Sequence, residues 1–390
     1  MNESTFTPGA AQPGTPTAAH GGPPPGFEAV GSVAVRTFAT HQHMTTPHTM
    51  KMMDGQHVNA MAGNESGRES THFAAYDELP EGHFYDPDAE YEPDPEYAAT
   101  LAPDAARQRR ERIGPTGRPL PYFPIPGPLT EHGPATIIAM CNQKGGVGKT
   151  TSTINLGAAL AEYGRRVLLV DFDPQGALSV GLGVNPMELD LTVYNLLMER
   201  GMSADEVLLK TAVPNMDLLP SNIDLSAAEV QLVSEVARES TLQRALKPLL
   251  QDYDYIVIDC QPSLGLLTVN ALTAAHKVIV PLECEFFALR GVALLTETIE
   301  KVQERLNPEL ELDGILATMY DSRTVHSREV LARVVEAFDD HVYHTVIGRT
   351  VRFPETTVAG EPITTYASNS VGAAAYRQLA REVLARCHAE

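Results

Sequence analysis

From Thr136 onward, short apolar runs alternate with segments of helical length, and this alternation restricts the fold of the 390-residue chain more than any other feature. Seven runs have the length of a strand and are mostly apolar throughout. They are TIIAMC (136–141), RVLLVD (166–171), MDLLPS (216–221), YIVIDC (255–260), KVIVPLE (277–283), GILATM (314–319) and VYHTVI (342–347). Strands without polar alternation are typical of a sheet that is covered on both faces.

The segments between several of these runs have the length of helices. They are residues 149–163, 264–275, 288–306, 326–339 and 371–387. This strand–helix–strand order predicts an α/β fold, with a doubly wound, mainly parallel sheet and helices on both faces. Such sheets bind ligands at the carboxyl ends of their strands, so we expect the functional residues where the apolar runs end.

The first 134 residues have a different composition. They hold 19 of the 29 prolines and 8 of the 13 histidines, and their apolar residues follow no helix or strand period. We therefore expect a long disordered tail, Pro/Gly/His-rich and acidic, over residues 1–134, followed by a folded domain at 135–390. A His/Met run at 41–57 has the ligand types for soft metals, and an acidic run at 77–96 has the charge to dock a basic partner. The alternative for both runs is a solvated tail.

The overall charge and the cysteine pattern exclude several classes of protein. The chain has 29 Lys and Arg against 50 Asp and Glu, a net charge of −21, which argues against a grip on DNA or acidic lipid over the whole surface. No run of 18 apolar residues is present, and the first residues do not resemble a secretory signal. Four widely spaced cysteines form neither a disulfide framework nor a zinc motif, so we expect a reduced, cytoplasmic protein.

The strongest motif follows the first apolar run and reads QKGGVGKTT. We expect all nine residues to bind the phosphates of a nucleotide, namely Gln143, Lys144, Gly145, Gly146, Val147, Gly148, Lys149, Thr150 and Thr151. Glycines let backbone N–H groups turn toward phosphate oxygens, and the start of the next helix adds its positive dipole end. Lys149 is expected to reach the β- and γ-phosphates, and the Thr150 hydroxyl to bind Mg²⁺. An ordinary tight turn between a strand and a helix needs neither a lysine nor two threonines.

Carboxylates follow two other apolar runs at the same edge of the predicted sheet. Asp171 and Asp173 alternate across Phe172 and so share one face of an extended chain. Asp259 lies at the end of the apolar part of the run YIVIDC, just before Cys260. This is the Walker B arrangement, in which a carboxylate holds Mg²⁺, often through water. The sequence thus predicts a metal site made by Thr150, Asp171 and Asp259. The alternative for either aspartate of the first pair is that it caps the next segment.

The phosphate loop departs from the standard pattern, since Gln143 replaces the first glycine and a second lysine, Lys144, follows. In this it resembles the deviant Walker A motif, x-K-G-G-x-G-K-T, of the ParA/MinD family of ATPases. The segments DFDPQG at 171–176 and DCQPSLG at 259–265 resemble two further family motifs, as do residues 281–291 and 342–353. The resemblance runs from about residue 136 to about residue 384, is strongest to chromosomal ParA/Soj-type partitioning ATPases, and leaves out the tail.

The resemblance implies a P-loop NTPase that binds ATP and Mg²⁺ and hydrolyses ATP slowly, as a molecular switch. Two subunits would form a homodimer with ATP sandwiched between them, in which Lys144 reaches the ATP of the partner. The alternative is that Lys144 serves the phosphates of its own subunit. The catalytic residues would be Lys144, Lys149 and Asp173, with Asp173 placing the attacking water. Gln261 replaces the first proline of the family pattern, which puts the stiffness of that loop and the hydrolysis rate in question.

The resemblance also implies a role in chromosome or plasmid partitioning, with a ParB-like partner and non-specific DNA. The candidate DNA residues are Arg323, Arg349 and Arg352, with Arg328 and Arg333 as helpers on one helix. DNA binding would place a cytoplasmic protein at the nucleoid. The family member MinD attaches to membranes through a basic C-terminal helix, but the apolar spacing at the end of this chain favours a helix packed on the sheet.

Two alternatives keep the nucleotide site and change the role. The chain could be a nucleotide-gated positioning scaffold that recruits another complex through its tail. It could also resemble the reductase-type relatives that hold an iron–sulfur cluster between subunits, although no cysteine pair lies in a loop suited to bridge them.

Overall fold

The computed structural model describes residues 113–285 and 288–387. The His/Met run and the acidic run lie outside the described residues. The proposals that concern them stay predictions from composition.

The sheet has seven strands in the order β3-β4-β2-β5-β1-β6-β7. Their bounds are β1 Thr136–Met140, β2 Val167–Phe172, β3 Leu209–Lys210, β4 Met216–Leu219, β5 Tyr255–Cys260, β6 Lys277–Glu283 and β7 Glu311–Thr318. All neighbouring strands pair in parallel except β3 and β4, which are antiparallel at one edge. The predicted α/β architecture with a mainly parallel sheet is confirmed.

Helices cover both faces of this sheet. They are α1 Lys149–Glu162, α2 Ala177–Gly181, α3 Val193–Met198, α4 Ala204–Val207, α5 Leu225–Gln231, α6 Thr241–Leu246, α7 Leu266–Ala274, α8 Ala288–Arg305, α9 Val325–Phe338, α10 Arg352–Ala359, α11 Ile363–Tyr366 and α12 Val371–Cys387. Side chains of β2 alternate between two buried clusters, Leu168 and Val170 on one face and Leu169 on the other. This double burial explains why the strand sequences are apolar throughout.

The C-terminal helix α12 packs on the sheet, as its apolar spacing predicts. Tyr376, Leu379 and Val383 are buried with residues of α1. The Tyr376 hydroxyl also lies 3.1 Å from the Ser152 hydroxyl of α1. Within the described part of the chain, no helix combines the length and the apolarity that a membrane span requires.

The run VYHTVI at 342–347 is not a strand, and the prediction of one there is wrong. Tyr343 N–H donates to Ile315 and Ile347 N–H to Ala317 of β7, so the segment does run beside the sheet. Between these bonds, however, the N–H groups of residues 344 and 345 donate to the two carboxylate oxygens of Glu382, at 2.7 and 2.9 Å. The fully buried Glu382 of α12 thus takes the N–H group of residue 345, the donor that a continuous ladder with β7 would need.

Residues 113–134, which composition assigns to the tail, lie against the folded domain; we call them the strap. Hydrogen bonds join the strap to the domain at several places. Arg118 of the strap donates to the Asp339 carbonyl (2.8 Å), and Arg165 of the domain donates to the Gly127 carbonyl (2.9 Å). The Asp254 carboxylate of the domain binds His132 (2.8 Å) and the Gly133 N–H (2.9 Å). The strap has few apolar residues of its own, and the domain supplies partners for its backbone. Composition therefore does not predict its structure.

The strap predicts a difference between two truncations. A chain that starts at residue 113 keeps every described contact, so we expect it to unfold at the same urea concentration as the full chain. A chain that starts at residue 135 lacks the strap groups that bind the buried Arg165 and Asp254, and its unfolding free energy should fall by about 2–5 kcal/mol. Equal stability of the two truncated chains, measured by urea denaturation, would show that the strap contributes nothing.

Candidate active site

The phosphate loop joins β1 to α1 and is shaped by two glycines. Gly146 has φ 76° and Gly148 has φ 84°, the left-handed region that residues with a Cβ rarely adopt. Gly148 is also the residue before α1, and no side chain caps the first N–H groups of that helix. Uncapped N–H groups at the start of a 14-residue helix are suited to bind an anion.

Two residues that sequence reasoning missed hold the loop in place. The Thr318 hydroxyl, at the end of β7, donates to the Val147 carbonyl (2.8 Å). The Asn142 amide donates to the Pro281 carbonyl (2.7 Å), while its oxygen accepts from the Lys144 N–H (2.9 Å). Both follow the rule that polar residues at the carboxyl ends of strands belong to the site, which is the signal that could have identified them.

Lys149, Thr150 and Asp259 lie together beneath the loop. Lys149 is 7% exposed, and its ammonium donates to the Lys144 carbonyl (3.3 Å). The Thr150 hydroxyl donates to the Asp259 carboxylate (2.6 Å). Burial, and then the charge of Asp171, raise the pKa of Asp259 well above its usual range. A cation beside this carboxylate would offset the cost of burying its charge, and a hydroxyl with a carboxylate is a donor set that suits Mg²⁺.

Asp171 lies opposite Asp259 in the register of β2 and β5 but has structural contacts of its own. One of its carboxylate oxygens accepts from both the N–H (2.8 Å) and the hydroxyl (2.7 Å) of Ser179 in α2. Burial raises the pKa of Asp171 to about 6, although these hydrogen bonds lower it. The contacts favour the alternative that Asp171 fixes the segment that follows it.

Asp173 lies nearer the surface than Asp171. Its carboxylate accepts from the Gln175 N–H (2.9 Å), which folds residues 173–176 into a turn beside the loop. No group of three or more His, Cys, Asp or Glu side chains that could hold a metal occurs among the described residues. A magnesium ion here would therefore depend on Thr150, Asp259 and oxygens of the nucleotide.

A cavity of about 420 Å³ opens next to the phosphate loop and was not predicted from the sequence. Gly148 and Thr151 line its loop side, and the other walls come from the end of β7 and from residues 347–357 and 376. Met319 adopts φ 50°, in the left-handed region, where β7 turns into this wall. The cavity combines apolar side chains such as Phe353 and Tyr376 with backbone of the loop, an arrangement typical of sites for flat, partly polar ligands.

The three candidate DNA arginines are exposed, and each pairs with a carboxylate of its own chain. Their partners are Asp321 for Arg323 (2.8 Å), Glu283 for Arg349 (3.4 Å) and Glu355 for Arg352 (2.9 Å). Arg323 donates two hydrogen bonds to the Asp321 carboxylate, and these bonds lower the pKa of Asp321 to about 2. Any anion that binds these arginines must compete with the carboxylates.

Lys144 and Gln261, the two departures from common patterns, also have polar partners. The Lys144 ammonium lies 3.0 Å from Glu283 and 2.5 Å from Glu285. The Gln261 amide donates to Glu229 of α5 (2.9 Å), so a side chain that proline lacks ties this loop to a helix.

Two cysteines flank the site from inside the core. The sulfur atoms of Cys141 and Cys260 are 2.9 Å apart, and both residues are 1% exposed. Thiols buried in this way cannot bridge two subunits, so the contacts give no support to an iron–sulfur cluster.

Comparison with known proteins places this site in a family. A family model described as AAA domain matches residues 135–312. The sporulation initiation inhibitor protein Soj of Bacillus subtilis is 49% identical over 249 residues, 64% of this chain and 98% of Soj. The chromosome partitioning protein ParA of Caulobacter vibrioides is 47% identical over 255 residues, 65% of this chain and 95% of ParA. A crystal structure from Mycobacterium smegmatis, described as cobyrinic acid a,c-diamide synthase with bound ADP and magnesium, is 46% identical with a TM-score of 0.57, covering 64% of this chain and 94% of that one.

The support of the loop by Thr318 predicts a measurable effect on nucleotide binding. Thr318→Val removes the hydrogen bond to Val147 and keeps the shape of the side chain. We expect affinity for ADP with Mg²⁺, measured by calorimetry, to fall about twofold to tenfold because the loop loses one fixed point.

Thr345→Val is the matched control, since the buried Thr345 hydroxyl has no hydrogen-bond partner in the described part of the chain. If both variants bind ADP as the wild type does, the hydroxyl of Thr318 does not position the loop.

Proposed function

Because this chain belongs to the Soj/ParA family of chromosome-partitioning ATPases, we propose that it is a Mg²⁺-dependent ATPase that acts as a molecular switch in partitioning. The observation that supports this most is the phosphate loop itself, with the free N–H groups of α1 at its end and Lys149 and Thr150 beneath it. The cavity beside Gly148 and Thr151 is the place for adenine and ribose, since it continues from the loop and has apolar walls.

Each residue of the site has a defined task in hydrolysis. The loop N–H groups and Lys149 bind the phosphates, and Thr150 and Asp259 hold Mg²⁺, which neutralises phosphate charge when bound. Asp173 places the water that attacks the γ-phosphate, because it is the half-exposed carboxylate next to the loop, while Asp171 is occupied by Ser179. Slow hydrolysis is suited to a switch, because the function of a switch is to change its state of assembly and not to make a product in quantity.

The switch is the assembly of two chains around ATP. Lys144 lies at the exposed start of the loop, where its ammonium could reach a phosphate of a facing copy, and its side chain is 46% exposed. Lys149 has its ammonium directed at the loop of its own chain. The two lysines thus have different tasks, Lys149 within the subunit and Lys144 across the interface.

Dimerisation with ATP tests this assignment. We expect the full chain to dimerise on addition of ATP and Mg²⁺, Lys144→Ala to stay monomeric because it lacks the bridging cation, and Asp173→Ala to form a lasting dimer because hydrolysis is slowed. Light scattering over time measures all three.

Lys210→Ala serves as a control, because Lys210 is an exposed lysine paired with Asp217 and distant from the loop in the fold. Normal dimerisation of Lys144→Ala would refute the role of Lys144 across the interface.

We propose that the dimer binds DNA without sequence preference through Arg323, Arg349 and Arg352, and that a ParB-like partner stimulates hydrolysis. The binding would be an electrostatic contact with phosphates, so it depends on salt. Such binding would bring the protein to the nucleoid.

Removal of the candidate arginines should weaken DNA binding by the ATP-bound form. We expect Arg349→Ala/Arg352→Ala to reduce affinity severalfold at low salt and to lower the slope of log affinity against log salt, because phosphate contacts are lost.

Arg377→Ala is the control, since Arg377 is bound by Glu162 and is not one of the candidate residues. Affinity and slope that do not change in the double variant would exclude this arginine patch.

The tail favours a second candidate function, a positioning scaffold. Soj matches 64% of this chain over 98% of its own length, so the tail has no counterpart in Soj. Pull-downs with the full chain and with a chain starting at residue 113 separate the two roles. Loss of the main partner with the tail favours the scaffold, and stimulation of the shortened chain by a centromere-binding protein favours partitioning.

The diamide synthase of M. smegmatis suggests a different use of the same site, ATP-driven amide formation on an acid. We favour the switch because ParA, at 47% identity, is named a chromosome partitioning protein. ATP hydrolysis that proceeds without any acid substrate and rises with DNA fits the switch, and hydrolysis that requires cobyrinic acid fits the synthase.

A further inference from the structure

Lys144, which must reach the ATP of a second copy in the proposed dimer, is already bound by two carboxylates of its own chain. Its ammonium lies 3.0 Å from an oxygen of Glu283 and 2.5 Å from an oxygen of Glu285. The ammonium cannot keep both of these contacts and also cross an interface. The monomer therefore holds this lysine in a position that dimerisation has to change.

The position of Glu283 is fixed by the same parts of the fold that fix the phosphate loop. Glu283 ends β6 and pairs in register with Thr318, whose hydroxyl holds the loop. Two residues before it, the Pro281 carbonyl accepts from Asn142, which also binds the Lys144 N–H. The Glu283 side chain is 14% exposed, so a rigid strand end presents its carboxylate to Lys144.

The charges around Lys144 balance within the chain. Arg349 adds a second cation 3.4 Å from Glu283, so two cations face two carboxylates. Partial burial lowers the pKa of Lys144, but hydrogen bonds to Glu285 and Glu283 outweigh it and leave that pKa raised. Lys144 in turn lowers the pKa of Glu285, so this ion pair is charged at neutral pH.

We propose that Glu283 and Glu285 form a latch on Lys144, an autoinhibitory contact that opposes dimerisation until ATP of a second copy displaces it. The inference rests on the proposed function, since it assumes that Lys144 crosses the interface. The two glutamates are positioning residues and touch no phosphate. The γ-phosphate oxygens of the second copy's ATP bind the Lys144 ammonium in place of the two carboxylates. The latch therefore opens where a triphosphate is within reach of Lys144 and stays closed without one.

The test compares the full chain with Glu283→Gln/Glu285→Gln, which keeps side-chain shape and removes both charges. Without nucleotide, an amine-acylating reagent with mass spectrometry measures the reactivity of each lysine. We expect Lys144 to react several times faster in the variant because its pKa falls and its ammonium is freed. Lys210 in the same sample should not change, because its partner Asp217 is retained.

Dimerisation is the second readout. We expect the variant to reach half-maximal dimer at an ATP concentration about threefold to tenfold lower, as loss of exposed ion pairs in two subunits allows. Glu162→Gln/Glu355→Gln removes two paired carboxylates that do not touch Lys144, and it should dimerise like the wild type. This control separates the latch from a general loss of negative charge.

Three results would overturn the latch. One is unchanged acylation of Lys144 in the variant, and another is faster acylation with no drop in the ATP required. The third is a wild type that never dimerises with ATP, which refutes the proposed function and leaves the latch without a role. The pattern across the two readouts thus shows which of the two proposals has failed.

Discussion

The phosphate loop depends on a backbone conformation that leads into the N-terminus of α1, where no side chain caps the first N–H groups. Gly146 and Gly148 make this geometry possible, since both adopt left-handed φ angles. The loop alone would not keep it, because glycines have the largest conformational freedom of any residue. Thr318 and Asn142, at the carboxyl ends of two regions of the sheet, supply the missing constraint through three hydrogen bonds.

The same strand ends bring acidic groups into the core. Asp171 and Asp259 are almost fully buried and face each other across β2 and β5. Burial makes a carboxylate charge costly, so each has partners that favour the charged form, Ser179 for Asp171 and Thr150 for Asp259. The two nevertheless differ in their surroundings. Ser179 of α2 binds Asp171, while Asp259, the proposed magnesium ligand, is bound by Thr150 of the loop and feels the charge of Lys149.

The sequence alone predicts those parts of the structure that depend mainly on neighbouring residues. Apolar runs buried on both faces predicted β1, β2, β5 and β6, and the loop motif predicted the residues around Lys149. The rest depends on distant partners. Residues 342–347 fail to form a strand because Glu382 takes the N–H group of residue 345, and the strap is held by Arg165 and Asp254 of the domain. The cavity beside the loop joins several separate segments, which no spacing rule brings together.

The acidic character of the domain has a consequence for how a switch of this kind could control DNA. Each of the three candidate arginines is paired within its own chain, so a phosphate backbone must displace a carboxylate from each of them. Non-specific affinity rises steeply with the number of phosphate contacts, and joining two copies makes the second set of contacts intramolecular. A weak patch on a monomer can therefore become a useful one on a dimer without any change in the patch. In the proposed dimer, the nucleotide would control DNA binding by controlling how many copies act together.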